Sequence, residues 1–291
     1  MNYWMRLHLY LSWPSCSDDF VVAMLFDKTQ RLAFWRPGQH EWSIPDVQFK
    51  VHQVSDVYYF KGEFYAVDIC GQVMAFGCEV MKRRSRIVAN LDVPKLPELG
   101  AEVFPYLVEV ENTLLVIFRI VFMYGYGHVN EDKYWTESFE IFELNVDDGK
   151  FKQVQGVGEH AIFLGSNSTF SVHASSYKHG CKANCIYFTD VYREAFLTGD
   201  VYKGGSDMGI YSMKERKTIE RLYEGPSQFC DITPPMLFPD DRNVCVLRLA
   251  GLYTSVEDYL NDSLSGDLQN CKVFDFFQRK IESGSEISSE K

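Results

Sequence analysis

The chain has 291 residues, with 29 Lys and Arg against 40 Asp and Glu, and carries a formal charge of −11. That balance argues against a nucleic-acid binder, which neutralises phosphates with Lys and Arg. Hydrophobic residues at 46% and aromatics at 15%, with 20 Gly and 10 Pro, exclude a disordered or collagen-like polypeptide.

A chain this long buries roughly three quarters of its unfolded surface, so it needs no disulfide staples. Its 8 cysteines, among them Cys70, Cys78 and Cys245 in apolar stretches, read as buried reduced thiols. The run Leu7–Trp13 has Arg6 as its only basic flank and bulky Trp13-Pro14 where a cleavage site wants small residues. It therefore reads as a short leading segment, residues 1–18, and not as a secretory signal. The apolar run Leu114–Phe122 is strand-sized and interrupted by Arg119, whereas a bilayer span needs about 20 apolar residues.

The recurring local signal is the β-strand. Short runs of Val, Ile, Phe and Tyr alternate with turn chemistry. Asp19–Phe26 and Arg31–Trp35 flank Asp27-Lys28-Thr29-Gln30, and Arg36-Pro37-Gly38-Gln39 leads to a return over Glu41–Ile44. Asp56–Phe60, Phe64–Asp68 and Gln72–Phe76 are joined by Lys61-Gly62-Glu63 and Cys70-Gly71. Phe104–Val110 and Leu114–Phe122 flank Glu111-Asn112-Thr113, and Ser138–Asn145 and Phe151–Val154 flank Asp147-Asp148-Gly149. Ala161–Leu164, Thr169–Ala174, Cys185–Thr189, Met208–Met213 and Thr218–Leu222 complete the series.

Three hairpins resemble one another: Leu32–Ile44, Phe139–Val154 and Gly209–Leu222. Repeated antiparallel hairpins over this span predict an all-β, β-propeller-like array with an incomplete first blade, covering residues 19–239. A pair of β-sandwiches is the alternative. Residues 240–281 form an extension with helix signals at Ser255–Leu264, opened by Ser255 with Asp258 three residues on, and at Val273–Lys280. The Ser/Glu-rich stretch 282–291 reads as a disordered tail.

Six ordered pieces carry a family resemblance. They are Arg31–Gly38 with Glu41-Trp42, Val57–Asp68 with Gly71, and Tyr106–Glu109 with Leu114–Val116. Ala161–Gly165 with Ser168–Ser171 and Cys185–Asp190 is the fourth, followed by Asp207–Tyr211 and by Pro234-Pro235 with Leu237-Phe238. From about Phe20 to Phe238 the chain resembles the plant F-box-associated β-propeller family, the KIB-type propellers.

The resemblance implies a substrate receptor without bond chemistry of its own. In such proteins an N-terminal helical F-box docks on a Skp1-type adaptor of an SCF ubiquitin ligase, and the propeller holds the protein to be ubiquitinated. Strand grammar begins here by Asp19, so no F-box is recognisable in Met1–Ser17, and adaptor binding is not expected of this chain alone. The expectation is a non-enzymatic, monomeric protein-interaction module of the cytoplasm or nucleus, with a protein partner and with no cofactor, nucleic acid or membrane. A truncated or relic family member without a retained partner is the alternative, followed by a secreted propeller hydrolase.

The candidates for chemistry give no assigned catalytic, cofactor-binding or metal-ligating residue. His173, His179, Cys181 and Cys185 have spacings that zinc accepts. Free thiols in an inter-strand loop are the plainer reading of Cys181 and Cys185, with zinc or a local disulfide left open. Gly204–Gly209 and Gly125–Gly127 lack the following helix and the Gly-Lys-Thr of a phosphate loop. Ser206 lacks the strand–turn–helix setting of a nucleophile elbow. Asp147-Asp148 and Asp240-Asp241 read as solvated turns and not as a glycosidase pair. Lys82-Arg83-Arg84 with Arg86 reads as a solvated inter-blade loop. Asn167-Ser168-Thr169 and Asn261-Asp262-Ser263 match a glycosylation triplet that arises often by chance. Loops around Arg83, Tyr126 and Lys203 are long and irregular enough to contact a partner.

Overall fold

A computed structural model describes residues 8–11, 20–26, 31–45, 53–77, 85–94, 100–124, 133–165, 169–176, 181–191 and 207–221. They form sixteen strands in four sheets, with one short 3-10 turn at Ala174–Ser176. The sequence-based helices at Ser255–Leu264 and Val273–Lys280, and the tail 282–291, lie outside the described residues.

The first sheet has β1 (His8–Leu11), β2 (Val22–Phe26) and β3 (Arg31–Trp35) in that order. β1 falls within the stretch that reads as a leading segment, yet it pairs with β2 from His8↔Leu25 to Leu11↔Val22. The second sheet is β4 (Val54–Phe60), β5 (Glu63–Asp68), β6 (Gln72–Gly77) and β7 (Ser85–Asn90). The third is β8 (Ala101–Val110), β9 (Thr113–Tyr124), β10 (Lys133–Leu144) and β11 (Phe151–Val154).

The fourth sheet contains β12 (His160–Leu164), β13 (Thr169–His173), β14 (Cys185–Phe188), β15 (Gly209–Ser212) and β16 (Lys217–Arg221), in the order β13-β12-β14-β15-β16. This sheet departs from a run of simple hairpins. β13 folds back on one side of β12, and the chain then crosses to lay β14 parallel to β12 on the other side, with Ala161 opposite Cys185. The three hairpins alike in sequence lie at the outer rims of their sheets. Phe139–Val154 holds the β10–β11 pair and Gly209–Leu222 the β15–β16 pair. The return after β3 is shorter than a strand: Ser43 makes a single bridge to Phe34.

Strand alternation puts one set of apolar residues on each face, and the sheets stack face to face through three apolar layers. Leu25, Phe34, Phe64 and Met74 fill the layer between the first and second sheets. Val73, Leu91, Leu107 and Phe118 fill the next, and Ile117, Phe139, Ile186 and Tyr211 the third. Phe34 meets both Phe64 and Phe76, and Phe139 meets Phe188 and Tyr211, at ring-centroid distances of 5.0–5.6 Å. Tilted ring pairs at this spacing add to the burial itself. Among the described residues, many of the aromatic side chains thus fill the layers between sheets.

The sheets are also joined by polar contacts at their inner strands. β8 is the edge strand of the third sheet and lies between β4 and β13. Pro105 is tolerated there because an edge strand needs no N–H on its open side. The rest of that edge is occupied by neighbouring side chains. Ser55 Oγ donates to the Pro105 carbonyl at 2.9 Å, the Leu107 N–H donates to Asp56 Oδ2 at 2.8 Å, and Ser171 Oγ donates to the Glu109 carbonyl at 2.5 Å. Asp56 is buried and also accepts from the Val57 N–H at 2.9 Å.

β-Bulges lie at two of the approaches between sheets. Register shifts past Ser55 in β4, which releases its side chain toward β8. It shifts again at Val88 in β7, whose carbonyl faces Gly149 in the β10–β11 turn of the next sheet.

Tyr58, on β4, is pushed up to about 12, chiefly by burial and then by the nearby Glu109 carboxylate, against a hydrogen bond from the Glu109 backbone. Below pH 10 both folded and unfolded chains keep this phenol proton. Between pH 10 and 12 only the unfolded chain releases it, so stability falls as pH rises. Tyr58 is expected to remove about 2 kcal/mol over that range. Urea midpoints at pH 9 and pH 11.5 check this: Tyr58→Phe loses less stability than the parent between the two. An equal loss in both chains would rule out Tyr58 as the source.

Candidate interaction site

The third sheet is taller than its neighbours. β9 and β10 each have 12 residues, against 4–7 in the strands of the second and fourth sheets. β4 starts near the level of Pro105, while β8 starts at Ala101 opposite Phe122, and β9 and β10 continue past it to Tyr124 and Lys133. Among the described residues the β9–β10 hairpin thus runs about four residues, roughly 13 Å at the rise of a strand, past the start of β4, and overhangs that strand.

A buried polar clasp holds the base of this overhang against the fourth sheet. Arg119 on β9 shares a face with Leu115 and Ile117 and is fully buried. Its Nε donates to Thr136 Oγ1 at 2.8 Å and its Nη1 to the Thr189 carbonyl at 2.6 Å. Its Nη2 reaches Asp207 Oδ2 at 2.8 Å and the Asp207 carbonyl at 3.2 Å. The guanidinium lies over the Phe188 ring, 4.7 Å from its centroid.

Asp207 accepts in turn from the Thr136 N–H at 2.9 Å and from Thr136 Oγ1 at 2.7 Å. Beside it, Asp190 Oδ2 accepts from Tyr134 Oη at 2.6 Å and from the Asp207 N–H at 3.2 Å. A planar guanidinium suits this site because one side chain satisfies a carboxylate, two carbonyls and a hydroxyl at once. The clasp binds the third and fourth sheets together.

At the outer end, register shifts between Thr136 and Ser138, leaving Glu137 as the extra residue of a bulge. Trp135 and Phe122, directly opposite each other, are half-buried and in ring contact at 5.0 Å. The Trp135 indole N–H donates to Glu137 Oε2 at 2.9 Å, and Glu137 is exposed.

The residues singled out by sequence are dispersed. Asp147 and Asp148 occupy the exposed β10–β11 turn, where Asn145 accepts from the Asp147 N–H and Asp148 pairs with Lys150 at 2.8 Å. Their spacing reflects a turn and not a substrate cleft. Arg86 lies on β7, not in a loop, and pairs with Glu63 at 2.7 Å. Cys185 is buried on β14 and Cys181 is half-buried before it, and burial pushes both thiols up; Cys70, expected to be buried, is instead exposed in the turn between β5 and β6. His173 is exposed at the end of β13, edge-on to His160 at 5.1 Å, with Nδ1 on Ser175 Oγ at 2.9 Å.

Among the described residues no three His, Cys, Asp or Glu side chains gather as a metal site. His179, Gly125–Gly127, Gly204–Ser206, Lys82–Arg84, Asn167, Asp240-Asp241 and Asn261 lie outside the described residues, as do Arg83, Tyr126 and Lys203.

Arg119 had a visible signal. It is a lone cation inside the apolar run Leu114–Phe122, and the period of two places it with Leu115 and Ile117 on the inward face. A buried Arg needs a carboxylate. Asp190 and Asp207, both within the pieces that carry the family resemblance, lie beside it.

Residues 2–212 match the family model of the KIB1-4 β-propeller. Among curated relatives, a putative F-box protein of Arabidopsis thaliana is 24% identical over 219 residues, covering 74% of this chain and 55% of its own length. A second F-box protein of that plant is 24% identical over 235 residues, covering 78% and 55%. The F-box protein SKIP23, also from Arabidopsis thaliana, is 21% identical over 243 residues, covering 76% and 54%. The chain spans about half the length of the curated relatives it matches. With the stacked antiparallel sheets and the residues of the clasp inside the matched span, the chain belongs to the KIB1-4 β-propeller family.

Proposed function

We propose that this chain is a non-enzymatic protein-interaction module, the part of an F-box-type receptor that holds the protein destined for ubiquitination. The observation that carries this reading is the match of the family model across residues 2–212, together with relatives named as F-box proteins. The stack of sheets supports it: polar clasps and apolar layers join the sheets, while the outer end of the β9–β10 hairpin carries the half-buried Trp135 and Phe122 and the exposed Glu137.

The F-box is helical in this class of receptor, and the described residues from His8 to Arg221 are strands and connections. They are not expected to bind a Skp1-type adaptor. Affinity capture from plant extract with the tagged full chain, read by mass spectrometry, tests both points. The expected result is a specific protein partner without the adaptor. Recovery of the adaptor would overturn the second point, and recovery of nothing above the tag control would overturn the first.

A further inference from the structure

We propose that the overhanging end of the β9–β10 hairpin grips an arginine-bearing segment of a partner protein, with Trp135 and Phe122 as the stacking platform and Glu137 as the counter-charge. The inference rests on the reading of the chain as an interaction module and names the chemistry of the partner.

Three observations converge on this end of the molecule. The first is placement. Trp135 and Phe122 lie beyond the level at which β4 begins and are half-buried, although their strands belong to the core. The second is the bulge. Glu137 is the residue inserted between Thr136 and Ser138, and it delivers an exposed carboxylate to the edge of the Trp135 indole at 2.9 Å. Bulges recur where a side chain must be re-aimed.

The third is charge. The exposed carboxylate at this end is that of Glu137. Arg119, the cation beneath, is buried and already paired with Asp207. The whole chain carries −11.

A guanidinium satisfies this arrangement better than other groups. It stacks flat on an indole or a phenyl face and donates in a fork to a carboxylate at the ring edge. An acidic or phosphorylated segment would be repelled. A purely apolar one would bury the Glu137 carboxylate and supply no cation to it.

The test uses the full chain and a short fluorescein-labelled Gly-Ser-Arg repeat peptide, with a Gly-Ser-Glu repeat as control, read by fluorescence anisotropy. The arginine peptide is expected to bind and the glutamate peptide not to bind. Trp135→Ala is expected to weaken binding about tenfold. Glu137→Gln, which leaves the half-buried rings in place, is expected to weaken it about threefold. Asp148→Asn removes the same charge from the opposite end of the third sheet and is expected to change binding by less than about twofold.

Equal effects of Asp148→Asn and Glu137→Gln would show diffuse attraction and overturn the proposal, as would unchanged binding by both Trp135→Ala and Glu137→Gln. Thermal melts of each variant separate loss of fold from loss of contact. If extract capture returns a partner that the Trp135→Ala and Glu137→Gln chains hold equally well, the platform fails while the interaction module stands. If capture returns nothing, the module itself fails.

Discussion

Replacing Arg119 with methionine is expected to remove about 3–5 kcal/mol of stability, the usual cost of breaking a buried ion pair from one side. The change leaves the Asp207 carboxylate at the interface of the third and fourth sheets without a cation, held at Oδ2 by the Thr136 hydroxyl. It also strips the Thr189 carbonyl and Thr136 Oγ1 of a donor. Domains of ordinary stability have about 5–15 kcal/mol in total, so a loss of this size is a large fraction.

Urea unfolding of Arg119→Met, Asp207→Asn and the double variant gives the coupling directly. The double variant is expected to be less destabilised than the sum of the singles, because a neutral amide no longer demands a cation. Strict additivity would mean that Arg119 and Asp207 act independently despite their 2.8 Å contact.

Gly149→Ala is expected to cost about 3 kcal/mol, two effects acting together. Gly149 holds φ at +71°, a region that side-chain-bearing residues rarely enter. A Cβ there would also strike the Val88 carbonyl oxygen, a backbone atom with no freedom to rotate away. Gly62→Ala isolates the first effect. Gly62 has φ +88° in the Lys61-Gly62 hairpin turn, but nothing stands within 4 Å of where its Cβ would be. That variant is expected to lose about 1 kcal/mol. Chemical denaturation of the two, side by side, checks the difference, and equal losses would remove the Val88 contact from the explanation.

Strand content and hairpin order were readable in sequence because alternation and turn chemistry are local. Lys61-Gly62 and Glu111-Asn112 adopt positive φ in two-residue turns, as such turns require to match the strand twist. β7 was hidden. Its residues Ser85–Asn90 include exposed Arg86 and Ile87, so an outer-edge strand looked like the continuation of a basic loop.

Bulges were hidden for a different reason. Nothing in the identity of Ser55, Val88 or Glu137 marks an extra residue, since the shift is set by the partner strand and the next sheet. The parallel pairing of β12 with β14 was also out of reach, because Ala161–Ala174 reads as an ordinary hairpin whichever side of β12 receives the next strand. The platform of Trp135 and Phe122 depends on both the bulge and the overhang, and neither is a property of a single segment.

The clasp at Arg119 also sets a schedule for synthesis. The second and third sheets are built from neighbours in sequence and can close as the chain leaves the ribosome. Beyond Thr136, the acceptors for Arg119 arrive much later: Thr189 is 70 positions on and Asp207, with the carboxylate, 88. Until they emerge, the nascent third sheet carries an unpaired cation on the face that the fourth sheet will cover. Packing that face against other apolar surface before then would bury the cation without its carboxylate, a cost that disfavours early misassociation.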